Sequence, residues 1–416
     1  MSIDYDAIYL DASRCVGCTT CTQRCPTEAI RVRDGKAVIM RERCVVCGEC
    51  IRVCPHNAMK ARVDALDDLL HKKKHLIALP APSLYGQFAG NYSRQDILSA
   101  LLKIGFDDTF EVTAAAEAVS AVVHHVLQTD DFPRPVITTA CPVILRIVRN
   151  RFPSLMPHLF NYRSPMDVAS RWSFRLAAKK TGLPPEDIGC VFISPCPAKC
   201  SSAKAPLDGS ECVMDGIVSI AEVAARMIPV LEHGGKRRAT LQARIRSAGL
   251  AVSGGQATAA AISNHLSVCG MENILRILEA LEDGKLNDVD LIELNACTPG
   301  CVGGALTAEN PYIAQTRIEQ LRRQPEPVLP VGECPLDDMK WESDPQPNPV
   351  MQLDSDLGRA LEKMERIHEI QKSLRGIDCG ACGSPSCRAF AEDIVAGRAS
   401  TDMCVFARKK AEENQV

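Results

Sequence analysis

Short apolar runs alternate with amphipathic stretches between residue 76 and about residue 321. The clearest runs are predicted to be buried strands, at Leu76–Leu79, Val136–Thr139, Val191–Ser194 and Leu291–Leu294. Segments with helical periodicity fill the intervals between them. Strands that alternate with helices favour an α/β domain in which the strands pair in parallel.

Cysteines follow three of these predicted strands directly. The three turns read Thr139-Ala-Cys141-Pro, Ser194-Pro-Cys196-Pro-Ala-Lys199 and Asn295-Ala-Cys297-Thr-Pro-Gly-Cys301. Ligands gather where parallel strands end, so the three turns are predicted to share one crevice. Gly300, Gly303 and Gly304 are predicted to bring the backbone close to an inorganic cluster and to direct N–H groups at it. Two buried, inert thiols are the alternative for Cys297 and Cys301 taken alone.

Cysteine content is the outlying feature of the composition. The 416 residues include 21 cysteines, whereas aromatic residues make up only 4% and the net charge is −3. This charge and the scarcity of aromatics give no indication of nucleic-acid or anionic-membrane binding. No secretion signal or membrane-spanning run is recognisable, so a cytoplasmic location is expected. A reducing compartment disfavours disulfides, which leaves metal binding as the better explanation of the thiols.

The first 70 residues hold two copies of one cysteine pattern. The copies are Cys15-x2-Cys18-x2-Cys21-x3-Cys25-Pro and Cys44-x2-Cys47-x2-Cys50-x3-Cys54-Pro. This repeat resembles a bacterial two-cluster ferredoxin, in which three closely spaced thiolates bind one [4Fe–4S] cube and the fourth cysteine binds the other. The resemblance implies one cluster on Cys15, Cys18, Cys21 and Cys54, and a second on Cys44, Cys47, Cys50 and Cys25. Zinc is the alternative, although zinc favours paired Cys-x2-Cys knuckles.

The chain beyond residue 323 begins with a linker and a helix. Prolines and acidic residues over 324–350 predict an extended, semi-rigid linker. A helix should follow, with Leu357, Leu361, Met364, Ile367 (or Ile370) and Leu374 on one face. This face is predicted to pack on its own domain, with a dimeric coil as the alternative.

The tail holds a third group of cysteines. They are Cys379, Cys382, Cys387 and Cys404. Their pattern resembles the small [4Fe–4S] domain of Rnf-type electron-transfer subunits and corrinoid iron–sulfur proteins. Zinc or a structural thiol cluster is the alternative.

The three cysteine turns, taken in order, resemble the three signature loops of [FeFe]-hydrogenases. The resemblance extends over about Leu76 to Leu321 and includes Gly105-Phe-Asp, Phe152-Pro153, Ser164-Pro165 and Glu222. It implies a [4Fe–4S] cluster on Cys141, Cys196, Cys297 and Cys301. It also implies a two-iron subsite that carries carbon monoxide, cyanide and a bridging dithiolate. Cys301 would bridge the two parts, and Lys199 would bind a cyanide.

Several positions depart from family members that turn over hydrogen rapidly. Ala140 stands where a proton-passing cysteine is expected. Ser194 and Asn295 occupy the positions of two methionines and are expected to tune the subsite through nearby contacts. The glutamates of the usual proton relay align near Val122 and Val123. Because alanine cannot carry a proton, a fast relay of the usual kind is absent, and the pattern resembles sensory hydrogenases that have an additional iron–sulfur domain.

The sequence therefore predicts an α/β protein in four segments. A ferredoxin-like two-cluster module covers 1–70, and a two-lobed α/β hydrogenase active-site domain covers 75–323. The linker covers 324–350. A helix and a small helical iron–sulfur domain cover 351–416.

Two functions are compatible with these segments. The first is slow, reversible formation of hydrogen from two protons and two electrons, used in hydrogen or redox sensing, with three accessory [4Fe–4S] clusters that relay electrons. Its catalytic residues would be Lys199, Cys301, Ser194 and Asn295. The second is a non-catalytic electron-transfer or assembly protein that lacks the two-iron subsite.

The expected partners follow from the first function. They are ferredoxin or another redox protein, a signalling protein and the hydrogenase maturation machinery, with a homodimer left open. Neither nucleic-acid binding nor membrane insertion is expected. The cysteines without an assignment are Cys190, Cys200, Cys212, Cys269 and Cys334. Of these, Cys200 is a candidate proton carrier because it is adjacent to Lys199.

Overall fold

The computed structural model of the chain describes residues 6–90, 92–129, 132–211, 213–233, 238–243, 245–323 and 339–408. Residues 324–338 of the predicted linker, which include Cys334, lie outside these ranges, as does Cys212. The chain divides into two units. The larger contains residues 1–7 and 62–346, and the smaller contains residues 8–61 and 347–416. The two cysteine-rich ends, predicted as separate segments, therefore belong to one unit.

Strands and helices are numbered here in chain order. The strands are β1 (Ile8–Leu10), β2 (Ile30–Arg33), β3 (Lys36–Ile39), β4 (Met59–Ala61), β5 (His75–Pro80), β6 (Asp108–Thr109), β7 (Val136–Ile137), β8 (Ile188–Ser194), β9 (Gly216–Ser219), β10 (His265–Cys269) and β11 (Leu291–Asn295). The helices are α1 (Thr20–Gln23), α2 (Glu49–Val53), α3 (Leu66–Leu69), α4 (Arg94–Lys103), α5 (Val112–Thr129), α6 (Pro142–Arg151), α7 (Pro165–Thr181), α8 (Pro197–Lys204), α9 (Ile220–His233), α10 (Gly255–Ala259), α11 (Met271–Glu282), α12 (Pro311–Arg322), α13 (Leu357–Ser373) and α14 (Cys387–Val395).

Two parallel sheets form the core of the larger unit. One has the strand order β6-β5-β8-β9, and the other has the order β10-β11-β7. Every residue of β8 is buried, as expected for a continuous apolar run in a sheet that is covered on both faces. All pairings within these two sheets are parallel, so the predicted α/β class is confirmed.

Strand β7 is shorter than its apolar run suggests. Only Val136 and Ile137 pair fully with β11, although the Thr138 amide still donates to the Ile292 carbonyl over 3.0 Å. The Thr139 hydroxyl donates to the Phe160 carbonyl over 2.7 Å. This side-chain bond diverts the chain from the sheet, so the strand ends before the turn that contains Cys141.

The Ser164-Pro165 pair marks the start of helix α7. The Ser164 side chain accepts a hydrogen bond from the Asp167 amide, and Pro165 occupies the first helical turn. A serine cap followed by proline satisfies the free amides of a helix start at no cost in lost hydrogen bonds. At the other end, Gly182 adopts a left-handed conformation with φ of 67° and stops the helix.

The smaller unit contains two antiparallel strand pairs and the C-terminal helices. Strand β1 pairs with β4, and β2 pairs with β3. The β2–β3 hairpin turns at Asp34 and Gly35, which both have positive φ, as a tight two-residue turn requires.

Helix α13 packs less completely than its apolar face predicts. It contacts α14, and Ile367 is buried, whereas Leu357, Leu361 and Met364 are 76%, 53% and 51% exposed. The prediction that this face packs on its own domain is therefore wrong for these three residues.

Candidate metal centres

Two of the cysteine turns end in the first turn of a helix. Cys141 and Cys196 are the residues that precede α6 and α8, and each is followed by a proline at the first helical position. The free amides and the positive dipole end of a helix start attract negatively charged groups. Proline is tolerated there because its missing N–H would have no partner in the helix. The Cys-Pro pairs thus place two potential ligands at helix N-termini.

One cavity in the larger unit brings residues of all three turns together. Its lining includes Ala140, Cys141, Lys199, Glu293, Asn295 and Cys301. The Lys199 ammonium donates to the Ala140 carbonyl over 3.2 Å and lies 6.0 Å from the centre of the Phe192 ring. The third turn therefore shares a cavity with the first two, as the strand-end argument predicts.

The thiols at this site interact electrostatically. Burial raises the pKa of Cys301 to about 12, Lys199 opposes the increase, and Cys196 and Cys141 add to it. Burial also raises the pKa of Cys196, again opposed by Lys199. A metal cluster would displace the protons from such thiols, because bound metal ions stabilise thiolates.

The remaining two cysteines of the predicted set, Cys196 and Cys297, are not among the residues that line the cavity. Cys196 interacts with Cys141 and Cys301 as described above. Cys297 belongs to the same turn as Cys301, and its carbonyl accepts a hydrogen bond from the Gly300 amide over 2.9 Å. Both cysteines are partly exposed.

The glycines of the third turn do not do what the sequence suggests. The amides of Gly300, Gly303 and Gly304 donate to the carbonyls of Cys297, Gly300 and Cys301, so they close the turn instead of pointing at a ligand. A Cβ at Gly304 would lie 2.1 Å from the Pro195 carbonyl oxygen. The glycines thus allow the third turn to pack against neighbouring backbone, and the prediction that they direct their amides at a cluster is wrong.

Ser194 and Asn295 occupy different environments. The Ser194 hydroxyl donates to the Cys196 carbonyl over 2.9 Å and accepts from the Cys196 amide over 3.3 Å. It therefore orders the turn around Cys196. Asn295 lines the cavity, and its buried Oδ1 has no hydrogen-bond partner among the described residues.

Glu293 is a cavity residue that the sequence analysis did not single out. It is 2% exposed on strand β11, and its two carboxyl oxygens accept from the amides of Gly254 and Ala257 over 3.1 and 2.9 Å. Burial raises its pKa, and the backbone amides oppose the increase. The available signal was a single glutamate within an otherwise apolar strand, since such a residue is rarely buried without a partner.

The cysteines of the smaller unit form groups that cross the two sequence repeats. One cavity is lined by Cys15, Cys18, Cys21 and Cys54. Burial raises the pKa of Cys21 to about 11, and Cys18, Cys54 and Cys15 add to the increase. The other repeat behaves in the same way, because burial raises the pKa of Cys50, and Cys47, Cys44 and Cys25 add to it.

The two fourth cysteines have matching surroundings. The Cys25 sulfur accepts from the Ala29 amide, and the Cys54 sulfur accepts from the Ala58 amide, each over 3.2 Å. Equivalent residues of the two repeats therefore adopt the same local structure.

A further cavity lies in the C-terminal part of the smaller unit. It is lined by Cys379, Cys382, Cys387 and Cys404. Within the described ranges, no three Cys, His, Asp or Glu side chains come close enough to bind a single metal ion.

Comparison with known proteins bears on the larger unit first. Residues 74–262 match the family described as the iron-only hydrogenase large subunit, C-terminal domain. The chain is also 31% identical over 210 residues to the periplasmic [Fe] hydrogenase large subunit of Nitratidesulfovibrio vulgaris. The chain is therefore similar to iron-only hydrogenases over residues 74–262.

The sequence match to the curated hydrogenases is partial. The alignment to the Nitratidesulfovibrio protein covers 46% of this chain and 50% of that protein. Iron hydrogenase 1 of Clostridium pasteurianum is 26% identical over 181 residues, which are 40% of this chain and 31% of that protein. The chain thus spans half or less of the curated hydrogenases it matches, and the family match ends before Cys297 and Cys301.

Solved hydrogenase structures share the fold. A variant of the [FeFe]-hydrogenase from Chlamydomonas reinhardtii is 14% identical, covers 69% of this chain and 97% of that chain, and has a TM-score of 0.52. An [FeFe]-hydrogenase structure concerned with oxygen inactivation gives 16% identity, the same coverage and a TM-score of 0.51. At such identities the likeness establishes the fold alone.

Both ends of the chain match iron–sulfur domains. Residues 7–55 match a 4Fe-4S dicluster domain, and residues 374–406 match a domain described as a putative Fe-S cluster. A 45-residue segment is 44% identical to the corrinoid/iron-sulfur protein large subunit of Moorella thermoacetica, covering 11% of this chain and 10% of that protein. The chain is therefore an iron–sulfur protein, and its predicted ferredoxin-like N-terminus is confirmed.

Positions of the usual hydrogenase proton relay are apolar here. Ala140 lines the cavity, and Val123 is 1% exposed on α5. His124, just beyond, has Nδ1 2.9 Å from the Ala260 carbonyl oxygen and Nε2 2.8 Å from Gln128. These contacts hold the imidazole against neighbouring structure. The positions that align with the relay glutamates, Val122 and Val123, carry no carboxyl group.

Of the three described cysteines without a predicted cluster, Cys190 and Cys200 are buried. Cys190 lies 3.5 Å from the Ser173 hydroxyl, and Cys200 donates to the Cys196 carbonyl over 3.7 Å. Burial raises the pKa of Cys200, which opposes the predicted role as a proton carrier. Cys269 is partly exposed. Separately, no helix within the described ranges is long and apolar enough to cross a membrane.

Proposed function

We propose that this chain slowly interconverts hydrogen with two protons and two electrons, and that it uses the reaction to report hydrogen or redox state. The observation that carries the proposal is the shared cavity, in which Cys141, Cys301 and the Lys199 ammonium lie together. Lys199 forms no ion pair among the described residues. A half-buried lysine that forms no such ion pair suits an anionic ligand, which favours an enzyme over an electron carrier that lacks the two-iron subsite.

The cavity residues fit a two-iron group with cyanide and carbon monoxide ligands. The Lys199 ammonium donates one hydrogen bond to the Ala140 carbonyl and has further N–H groups that can donate hydrogen bonds to a bound cyanide. Asn295 presents a buried oxygen without a partner. Phe192, Met166 and Ala251 supply apolar wall. When bound, the two-iron group supplies the site at which hydrogen forms or splits.

The protein's residues would hold and tune this group. Cys301 would bridge the subsite to a cubane whose other ligands are Cys141, Cys196 and Cys297. Lys199 would fix the subsite through charge, because an ammonium in a water-poor cavity attracts an anion strongly.

Proton supply would then limit the rate. Ala140 cannot pass protons, so the cavity lacks the usual donor. Glu293 is a titratable carboxyl in the cavity lining, and its raised pKa brings it closer to the range in which a carboxyl can exchange protons at neutral pH. A slow site of this kind suits sensing, in which occupancy matters more than turnover.

Electrons would pass through accessory clusters in the smaller unit and on to a ferredoxin-class partner in the cytoplasm. A signalling partner would receive the output, and the maturation machinery would deliver the two-iron group. These partners belong to the same proposal.

The test is infrared spectroscopy of the chain after maturation. Bands of bound carbon monoxide and cyanide are expected in the wild type. Lys199→Met should reduce these bands strongly, because the anchoring charge is gone. Lys204→Met is the matched control, since Lys204 lies on the same helix and pairs with Asp64 at 3.6 Å. If a fully matured wild-type sample shows no such bands, the hydrogenase proposal fails and electron transfer becomes the function.

A further inference from the structure

A buried carboxylate joins the C-terminal iron–sulfur segment to the ferredoxin-like hairpin. Asp393 on α14 is 0% exposed. It accepts hydrogen bonds from Arg31 Nε over 2.5 Å and from Arg33 Nη2 over 2.9 Å. Ser384 and Arg398, of its own segment, donate over 3.1 and 3.3 Å. Two strand residues from the start of the chain thus share one carboxylate with the tail.

The charges of Asp393, Arg31 and Arg33 can be buried only while the C-terminal segment contacts the β2–β3 hairpin. Arg31 is 4% exposed and also donates to the Glu28 carbonyl over 2.7 Å. Burial by itself would raise the pKa of Asp393, but the hydrogen bonds from Arg31 and Ser384 and the charges of Arg31 and Arg398 together outweigh it and lower the pKa. Removal of one partner from such a cluster leaves an uncompensated buried charge, which is far more unfavourable than loss of an exposed ion pair. The buried Asp393 and Arg31 side chains therefore stabilise the contact between the C-terminal segment and the β2–β3 hairpin.

The backbone completes the join. The Val32 amide, on strand β2, donates to the Gly383 carbonyl over 2.7 Å, so the cysteine loop of the tail extends the edge of the hairpin. Gly383 has φ of +79°, and a Cβ there would lie 2.0 Å from the Val32 carbonyl oxygen. A side chain at this position would separate the two parts.

Both cysteine-bearing regions meet at this contact. Arg33 Nη1 donates to the Cys382 carbonyl over 3.2 Å, and the Gln23 amide donates to the Cys379 carbonyl over 3.3 Å. Gln23 lies two residues from both Cys21 and Cys25, or at most about 7 Å along the chain from each. One side chain therefore connects the tail's cysteine loop to helix α1, which carries Cys21 and ends two residues before Cys25.

We propose that the C-terminal iron–sulfur segment is a fixed extension of the ferredoxin-like module and exchanges electrons with it directly. The Asp393–Arg31–Arg33 cluster holds it in place. In the step, one electron leaves a reduced cluster of the ferredoxin-like module and reduces the cluster on Cys379, Cys382, Cys387 and Cys404, with no bond made or broken. The inference depends on iron–sulfur binding and not on hydrogen turnover. It is therefore tested in protein that contains the iron–sulfur clusters but lacks the two-iron group.

The first measurement is hydrogen exchange of the Val32 amide in full-length, cluster-reconstituted protein. Asp393→Asn should speed exchange at Val32 at least tenfold, because the held edge opens. Glu369→Gln, an exposed change on α13, is the control and should leave exchange as in the wild type. If the Val32 amide exchanges at the same rate in the wild type and in Asp393→Asn, the cluster does not hold the segment and the proposal fails.

The second measurement is electron paramagnetic resonance of the same samples after reduction with dithionite. Neighbouring reduced clusters interact magnetically, so the wild-type spectrum should be broadened by all three clusters. In Asp393→Asn the two clusters of the ferredoxin-like module should still interact with each other, whereas the C-terminal cluster should give a separate, unbroadened signal. Arg33→Gln removes the Arg33–Asp393 ion pair from the ferredoxin-like module and leaves the C-terminal segment unchanged. It therefore serves as the second variant if Asp393→Asn loses iron. If the spectrum of an iron-replete Arg33→Gln sample, with fast Val32 exchange, stays identical to that of the wild type, direct electron exchange through this contact is refuted.

Discussion

Gly304→Ala tests whether contact between the second and third cysteine turns positions their ligands. Gly304 has φ of −65°, which alanine adopts without backbone strain, so the effect of the change comes from its Cβ alone. That atom would lie 2.1 Å from the Pro195 carbonyl oxygen, whereas real contacts stay above 3.0 Å. The two turns must therefore separate by about 0.9 Å, the difference between these distances.

The energetic cost follows from this overlap. Forcing extra volume into a packed interior costs about 1–3 kcal/mol, and the bond from the Leu306 amide to the Pro195 carbonyl, now 2.9 Å, is strained as well. The expected fall in Tm is about 3–9 °C. Because Cys196 follows Pro195 and Cys301 lies three residues before Gly304, the separation should also disturb a cluster that both cysteines bind.

Gly182→Ala is the matched control. Gly182 has φ of +67° and no atom within 4 Å of a built Cβ, so alanine there costs about 1–2 kcal/mol through backbone strain alone. Both variants should lose Tm, but only Gly304→Ala should lose iron and infrared bands after maturation. If both variants retain wild-type iron content and identical bands, the contact between the turns does not position the ligands.

Three further results are expected. Cys301→Ala should abolish the infrared bands and lower iron content, and unchanged iron content would contradict its assignment as the bridging ligand. Ala140→Cys should raise hydrogen turnover severalfold at equal cluster loading, and no gain would mean that another residue limits proton supply. The lowered pKa of Asp393 means that its stabilising charge is fully present above the unfolded pKa of about 3.9 and is lost as pH falls through the folded value. Thermal unfolding of the smaller unit between pH 7 and pH 3 should therefore show a larger loss in the wild type than in Asp393→Asn, and parallel losses would refute the linkage.

Features that depend on local pattern could be predicted from the sequence. The run at 191–194 is apolar on both faces, and it is a buried central strand because a parallel sheet covered by helices requires that composition. The crossed grouping of Cys54 with Cys15 follows from ligand spacing. In each case the signal lies within a few residues.

Features that depend on distant partners could not be predicted. Asp393 reads as an ordinary helix residue, and its burial becomes intelligible only with Arg31, 362 positions away. Gly304 reads as a flexible residue beside a ligand, but it is needed because the Pro195 backbone approaches it. Glu293 is hidden within a strand, and its amide donors come from Gly254 and Ala257, which belong to a different part of the domain.

The interleaved arrangement of the two units has a consequence for biosynthesis. Residues 62–346 are inserted between the two portions of the smaller unit. The hairpin that carries Arg31 leaves the ribosome early, whereas α14 follows only after more than three hundred further residues. Arg31 cannot pair with Asp393 during that interval, so the module made first is the one completed last.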